Sequence, residues 1–234
     1  MHPFALPDAA VAASLTRRGT AHPFAILDGR RTALVVIDMQ NYFVAAGAPG
    51  EIPMARAVVP AINRLAGAVR AAGGQVLWVQ NSTNDTSRSW SVMHDLLLTP
   101  ERRSVRWAQM DQAAEGYRLW PALEARPEDQ YLPKTRFSAF IQGSSDLEAQ
   151  LRRRGLDTLL VAGTATNVCC DSSARDAMML NFKVVMVSDA LAAPTDEAHA
   201  AALLNFYAYF GDVLSADQAV AGLARGASTA GSSY

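Results

Sequence analysis

Hydrophobic residues fall in short unbroken blocks along this chain, separated by stretches with helical spacing. Thr32-Ala33-Leu34-Val35-Val36-Ile37 is β-branched and apolar throughout and ends at Asp38. Val58, Ile62, Leu65 and Val69 then step by four, three and four, the stripe of an amphipathic helix, which Gly73-Gly74 stops. Gln75–Gln80 predicts a second strand, and a short one near Gln130–Leu132 precedes Pro133-Lys134. Leu147 and Leu151, one turn apart, place a helix over Asp146–Arg154, and it leads into a strand at Thr158–Ala162. A helix beginning at Cys169 and running to about Leu180 follows, then a strand at Lys183–Val187. A helix over Asp196–Tyr209, a short strand at Asp212–Leu214 and a last helix from about Ala216 complete the pattern.

Strand and helix alternate, and the strands are continuously apolar rather than alternating, as in a sheet covered on both faces. The fold class predicted is α/β: a doubly wound, mostly parallel six-stranded sheet with helices on both faces, a Rossmann-like three-layer sandwich. Residues 1–30 lack a sustained period and read as an arm with at most one short helix, suited to packing on a neighbouring subunit. Residues 31–226 form a single domain, and 227–234 read as a flexible tail. Residues 81 to about 129 are polar, irregular and rich in Ser, Arg and Trp.

Composition narrows the function. With 21 Lys+Arg against 22 Asp+Glu, the chain has no charge excess to attract nucleic acid or an anionic membrane. Its apolar runs are far too short to span a bilayer. The first residues, interrupted by Pro3, Pro7, Asp8, Arg17 and Arg18, do not read as a signal peptide. The two cysteines are adjacent, which excludes an ordinary disulfide staple and fits a reducing compartment. A cytoplasmic protein acting on a small molecule is the expectation.

In a doubly wound sheet, ligands bind beyond the carboxyl ends of the strands. Asp38, Lys134 and the turn Gly163–Cys169 all lie at such ends. Cysteine is the strongest common side-chain nucleophile once ionised, and both a helix N-terminus and a nearby cation favour the thiolate. Asp38 can act as the base and Lys134 as the cation. Helical phase separates the two thiols: Cys170 falls in line with Ala174, Ala177 and Met178 and faces the sheet, while Cys169 is turned about 100° away. Each residue alone has a plainer reading, as a strand-closing polar residue, a solvated lysine or a small core residue.

Three motifs, Val-Val-Ile-Asp38-Met-Gln-Asn, Leu-Pro-Lys134-Thr-Arg-Phe-Ser-Ala-Phe and Gly-Thr-Ala-Thr-Asn-Val-Cys169, occur in the order found in the isochorismatase-like cysteine hydrolases, which this chain resembles over roughly residues 30–220. The resemblance implies a catalytic triad of Asp38, Lys134 and Cys169. It also implies a cis peptide bond at Thr164–Ala165 and an oxyanion hole built from the N–H groups of Ala165 and Cys169. Dimers or tetramers are the family's habit.

Nicotinamidases of this family carry a metal-binding Asp-x-His segment after the second strand. Here that place reads Asn81-Ser82-Thr83-Asn84-Asp85, so no metal and no cofactor are expected. Isochorismatases proper typically lack the cysteine, and its presence points to C–N hydrolysis through a thioester-type intermediate. The nearest likeness is to the ureidoacrylate and N-carbamoylsarcosine amidohydrolases, although Phe137 stands where that branch has tyrosine and Thr83 where it has tryptophan. Gln40, Asn41, Asn81, Phe137 and Thr166 are the candidate substrate-binding residues. Arg88, Trp90, Arg106 and Trp107 are further candidates for recognising an aromatic ring or a carboxylate. The alternatives are hydrolysis of an ether or ester on the same scaffold and a non-catalytic small-molecule-binding homologue.

Overall fold

The computed structural model describes residues 1–83 and 89–230. Its centre is a six-stranded sheet in which every neighbouring pair is parallel. The strands are β1 (Thr32–Ile37), β2 (Gln75–Asn81), β3 (Gln130–Lys134), β4 (Thr158–Thr164), β5 (Lys183–Ala192) and β6 (Asp212–Leu214), in the spatial order β3-β2-β1-β4-β5-β6. The order reverses between β1 and β4, and the crevice such a reversal opens at the strands' carboxyl ends is the usual ligand site.

The helices are α1 (Asp8–Arg18), α2 (Asn41–Val44), α3 (Val59–Ala71), α4 (Pro100–Gln109), α5 (Leu147–Arg153), α6 (Asp171–Met179), α7 (Asp196–Tyr209) and α8 (Ala216–Ala230). Every residue of β1 is buried, and successive side chains feed opposite layers, as the two-residue period of a strand demands. Leu34 and Val36 join Ile62, Leu65 and Val69 of α3 and Leu223 of α8. Ala33, Val35 and Ile37 join Leu151 of α5, Ala174 of α6 and Phe206 of α7. The sandwich predicted from continuous apolar strands is the one observed.

Two departures from the sequence reading concern boundaries and coverage. The polar stretch after β2 contains a regular helix, α4, begun by Thr99, whose hydroxyl accepts from the Arg102 N–H, and by Pro100 in the first turn. Helix α8 continues to Ala230, into the segment expected to be a tail.

The N-terminal arm packs on its own chain. Arg18 donates to the carbonyls of Gly211 (3.0 Å) and Tyr207 (3.2 Å), and His22 Nδ1 lies 2.9 Å from Asp212 Oδ1. His2 is buried, with its Nε2 accepting from the Ala193 N–H at 3.0 Å.

Candidate active site

Strand β1 ends in a sharp reversal. Asp38 adopts φ 55°, a left-handed conformation that Asp tolerates better than most residues, and its N–H donates to Val79 O at 2.8 Å. The turn holds the Asp38 side chain at the sheet edge, fully buried. Lys134 closes β3 in register with Asn81 of β2 and is also fully buried. Its ammonium sits 2.9 Å from Asp38 Oδ2 and donates to Arg136 O at 3.0 Å. Burial alone would lower the Lys134 pKa, but the Asp38 carboxylate, with a smaller contribution from Cys169, outweighs it and raises the pKa, so the lysine stays charged. Apart from that ammonium, neither Asp38 oxygen meets a hydrogen-bond donor in good geometry among the described residues. A buried carboxylate with open lone pairs is free to accept a proton.

The third element is the turn after β4. Gly163 has φ 108°, and a Cβ there would stand 2.1 Å from Ile37 O, so only glycine lets β4 lie this close to β1. The Thr164–Ala165 peptide bond is cis. Thr166–Cys170 then forms a π-helical turn that runs into α6. The Ala165 N–H is bound to no acceptor among the described residues, while Ala165 O accepts from Val168 and Cys170 N–H, each at 3.1 Å.

Cys170 is wholly buried, its sulfur 4.0 Å from Ala162 O on β4. Cys169 is buried as well, at 5% exposure, but on the side of Asp38 and Lys134. The expectation of a resting thiolate is corrected here. Burial first, then the Asp38 carboxylate, push the Cys169 thiol up to about 12, against the opposing pull of Lys134 and Arg106. The thiol therefore keeps its proton at neutral pH, and the neighbouring carboxylate is positioned to receive it.

A base, a cation and a thiol have thus been brought together from the ends of β1, β3 and β4. A family model described as the isochorismatase domain matches residues 32–218, a span that includes all three. The chain belongs to the isochorismatase family. It is 33% identical over 200 residues to the ureidoacrylate amidohydrolase RutB of Stutzerimonas stutzeri (strain A1501), covering 80% of each chain. Among solved structures it is similar to a cysteine hydrolase from Pseudomonas syringae pv. phaseolicola 1448A, with a TM-score of 0.77, 26% identity and coverage of 86% of this chain and 95% of that one. It is also similar to an N-carbamoylsarcosine amidase from Thermoplasma acidophilum, with a TM-score of 0.64 and 26% identity over 80% of this chain and 97% of that one. This isochorismatase-family member is a hydrolase by that kinship.

The other candidates divide by what their polar atoms already do. Gln40 is fully buried and committed to the backbone: Nε2 donates to Asn81 O and Tyr117 O, each at 3.0 Å, and Oε1 accepts from Asn81 N at 2.8 Å. These bonds brace the turn after β1. Thr166 is likewise fully buried, its hydroxyl 2.9 Å from His199 Nδ1 on α7. Asn41 directs its amide nitrogen to Glu115, donating to both the backbone oxygen and Oε1 at 3.0 Å.

Asn81 keeps an open donor, since its Nδ2 is buried without an acceptor among the described residues. Phe137 packs edge-on to Trp90, with ring centroids 4.8 Å apart. Trp107 donates its indole N–H to His94 Nδ1 at 3.1 Å, so these rings make one aromatic wall. Arg88 lies outside the described residues. Among those described, no group of three or more His, Cys, Asp or Glu is clustered as a metal ion would need.

Two neighbours of the site escaped the sequence reading. Tyr117, in a 3₁₀ turn (Glu115–Tyr117), lies close enough to Asp38 that the carboxylate adds to burial in raising its phenol pKa. His199 is fully buried beside the turn after β4, stacked on His2 at 4.5 Å, and burial holds its pKa down to about 4. Neither carries a local signal, because both reach the site from elements that only the fold brings near.

Proposed function

We propose that this isochorismatase-family hydrolase is a metal-independent cysteine amidohydrolase that cleaves a C–N bond of a small amide or carbamoyl (ureido) compound. The observation that carries this reading is the buried Asp38 carboxylate, open to a proton and flanked by a charged lysine and a protonated thiol. The named activities of its relatives, a ureidoacrylate amidohydrolase and an N-carbamoylsarcosine amidase, agree with it.

The residues divide the work as follows. Asp38 takes the proton from Cys169 as the sulfur attacks the scissile carbonyl carbon. The oxygen's developing charge is met by the N–H groups of Ala165 and Cys169; a pair of aligned donors in a water-poor site lowers such a barrier by about 3 kcal/mol or more. The protonated Asp38 hands its proton to the departing nitrogen, leaving an acyl or carbamoyl thioester. Asp38 then removes a proton from the incoming water, the thioester bond breaks, and the thiol is restored. Lys134 stays protonated throughout and keeps Asp38 in place. Two free cysteines fit a cytoplasmic location.

Ammonia release from a panel of small amides and ureas tests the reading, with matched ethers and esters as controls. The wild-type protein should act on the C–N compounds, and Cys169→Ser and Asp38→Asn should each lower the rate by about a thousandfold or more. A Cys169→Ser rate near wild type, or turnover confined to the ethers and esters, would contradict it.

A further inference from the structure

Two buried hydroxyls flank Ala165, and each is tied to a different element. Thr164 donates to Ala192 O, at the end of β5, at 3.2 Å. Thr166 shares a hydrogen bond of 2.9 Å with His199 Nδ1, on α7. One residue from the far end of the sequence, His2, joins those two supports.

His2 is 5% exposed. Its Nε2 accepts from the Ala193 N–H at 3.0 Å, which places the proton of the neutral ring on Nδ1, and Nδ1 lies 2.5 Å from Asp196 Oδ1. The ring is stacked on His199, with centroids 4.5 Å apart and planes inclined by 24°. Phe4 meets the same His199 ring edge-on at 5.9 Å. Burial above all holds the His199 pKa down to about 4, so at neutral pH this ring is uncharged and packs as an aromatic.

A single side chain thus touches both the residue that follows Ala192 and the ring that binds Thr166. Without it, the buried Ala193 N–H loses its acceptor and His199 loses a packed face, so the supports on either side of Ala165 are loosened together. Donors that meet a developing negative charge act only when they are aimed before the reaction begins, and a small misplacement costs rate steeply. We propose that His2 is a positioning residue, which through Ala193 and His199 keeps the N–H groups of Ala165 and Cys169 aimed at the substrate oxygen. This rests on the cysteine-hydrolase reading of the turn after β4, but not on the kind of bond that is cleaved.

Two reagents that consume the same thiol separate aim from general support. p-Nitrophenyl acetate acylates Cys169 through a tetrahedral oxyanion: the sulfur–carbon bond forms, the thiol proton passes to Asp38 and p-nitrophenolate leaves. Iodoacetamide alkylates the same sulfur by displacing iodide, with no oxyanion to hold. Both rates are measured on the full chain as the first stoichiometric phase, after subtracting Cys169→Ser. In His2→Ala, acylation should slow about tenfold, part of the roughly 100-fold that loss of one oxyanion donor costs, while alkylation stays within about twofold of wild type. His2→Phe keeps a ring against His199 but offers Ala193 no acceptor, so its acylation rate should fall in between. That variant keeps the test readable if His2→Ala folds poorly.

Acylation unchanged, or acylation and alkylation slowed equally, would overturn the proposal. A wild-type Cys169 that p-nitrophenyl acetate does not acylate would remove the cysteine-hydrolase reading and this proposal with it. Selective loss of acylation in a protein that releases no ammonia from the amide and ureido panel would leave His2 its role and remove the amidohydrolase reading.

Discussion

A thiol pushed up to about 12 by burial and by an adjacent carboxylate carries its proton at rest, so reactivity in this site has to be created by proton transfer rather than stored as a thiolate. The lone residue Cys169 gives no hint of this. Its place at a strand-to-helix turn suggests a lowered pKa, and that inference fails because desolvation and the Asp38 charge both act the other way. The sign can be tested. In Asp38→Asn the carboxylate's raising influence is gone while Lys134 and Arg106 still favour the thiolate, so the thiol should ionise at lower pH than in wild type. The 240 nm absorbance of the thiolate, taken as the difference from Cys169→Ser, should rise at correspondingly lower pH. A midpoint unmoved or raised by Asp38→Asn would show that burial alone sets the pKa.

Among the elements, the turn after β4 is the least forgiving. Gly163 combines φ 108° with a Cβ direction pointing at Ile37 O only 2.1 Å away, and its neighbours carry the cis peptide and the thiol. Gly163→Ala should cost about 2–4 kcal/mol, the sum of a left-handed alanine and an overpacked strand pair. Urea unfolding measures it; a loss under about 0.5 kcal/mol, the range of a neutral surface change, would mean that β4 and β1 can separate at that point.

The same elements show what the sequence could convey. The six strands were legible because they are buried on both faces and so read as uninterrupted apolar blocks. Asp38, Lys134 and Cys169 were legible because each sits within a few residues of such a block's end, inside a motif. Helix α4 was not, since charged and polar residues dominate it and its apolar stripe is thin, although Thr99-Pro100 was a readable start. Gln40 and Thr166 stand out in sequence because they flank Asp38 and Cys169, but the hydrogen bonds they make to Asn81, Tyr117 and His199 could not be read there. Tyr117 and His199 had no sequence signal at all.

For the whole molecule, the sheet order decides where chemistry is possible. Reversal between β1 and β4 sets the Asp38 turn against the Gly163 turn, and β2 lies between β1 and β3 so that Lys134 reaches across to Asp38. The polar segment after β2 supplies Arg106, His94 and Trp107 from one side. From the other side, the arm and α7 hold the turn after β4 through His2, His199 and Thr166. Every layer therefore contributes to fixing one thiol beside one carboxylate.

The proposed mechanism predicts a covalent intermediate on Cys169 and not on its neighbour. The wild-type protein, mixed with the best substrate of the amide and ureido panel, is quenched in acid within milliseconds, digested and analysed by mass spectrometry. A peptide carrying the acyl or carbamoyl mass on Cys169, absent from Cys169→Ser and from Asp38→Asn, is the predicted result. Turnover with no adduct in a quench series fast enough to catch the first cycle, or an adduct on Cys170, would contradict the account.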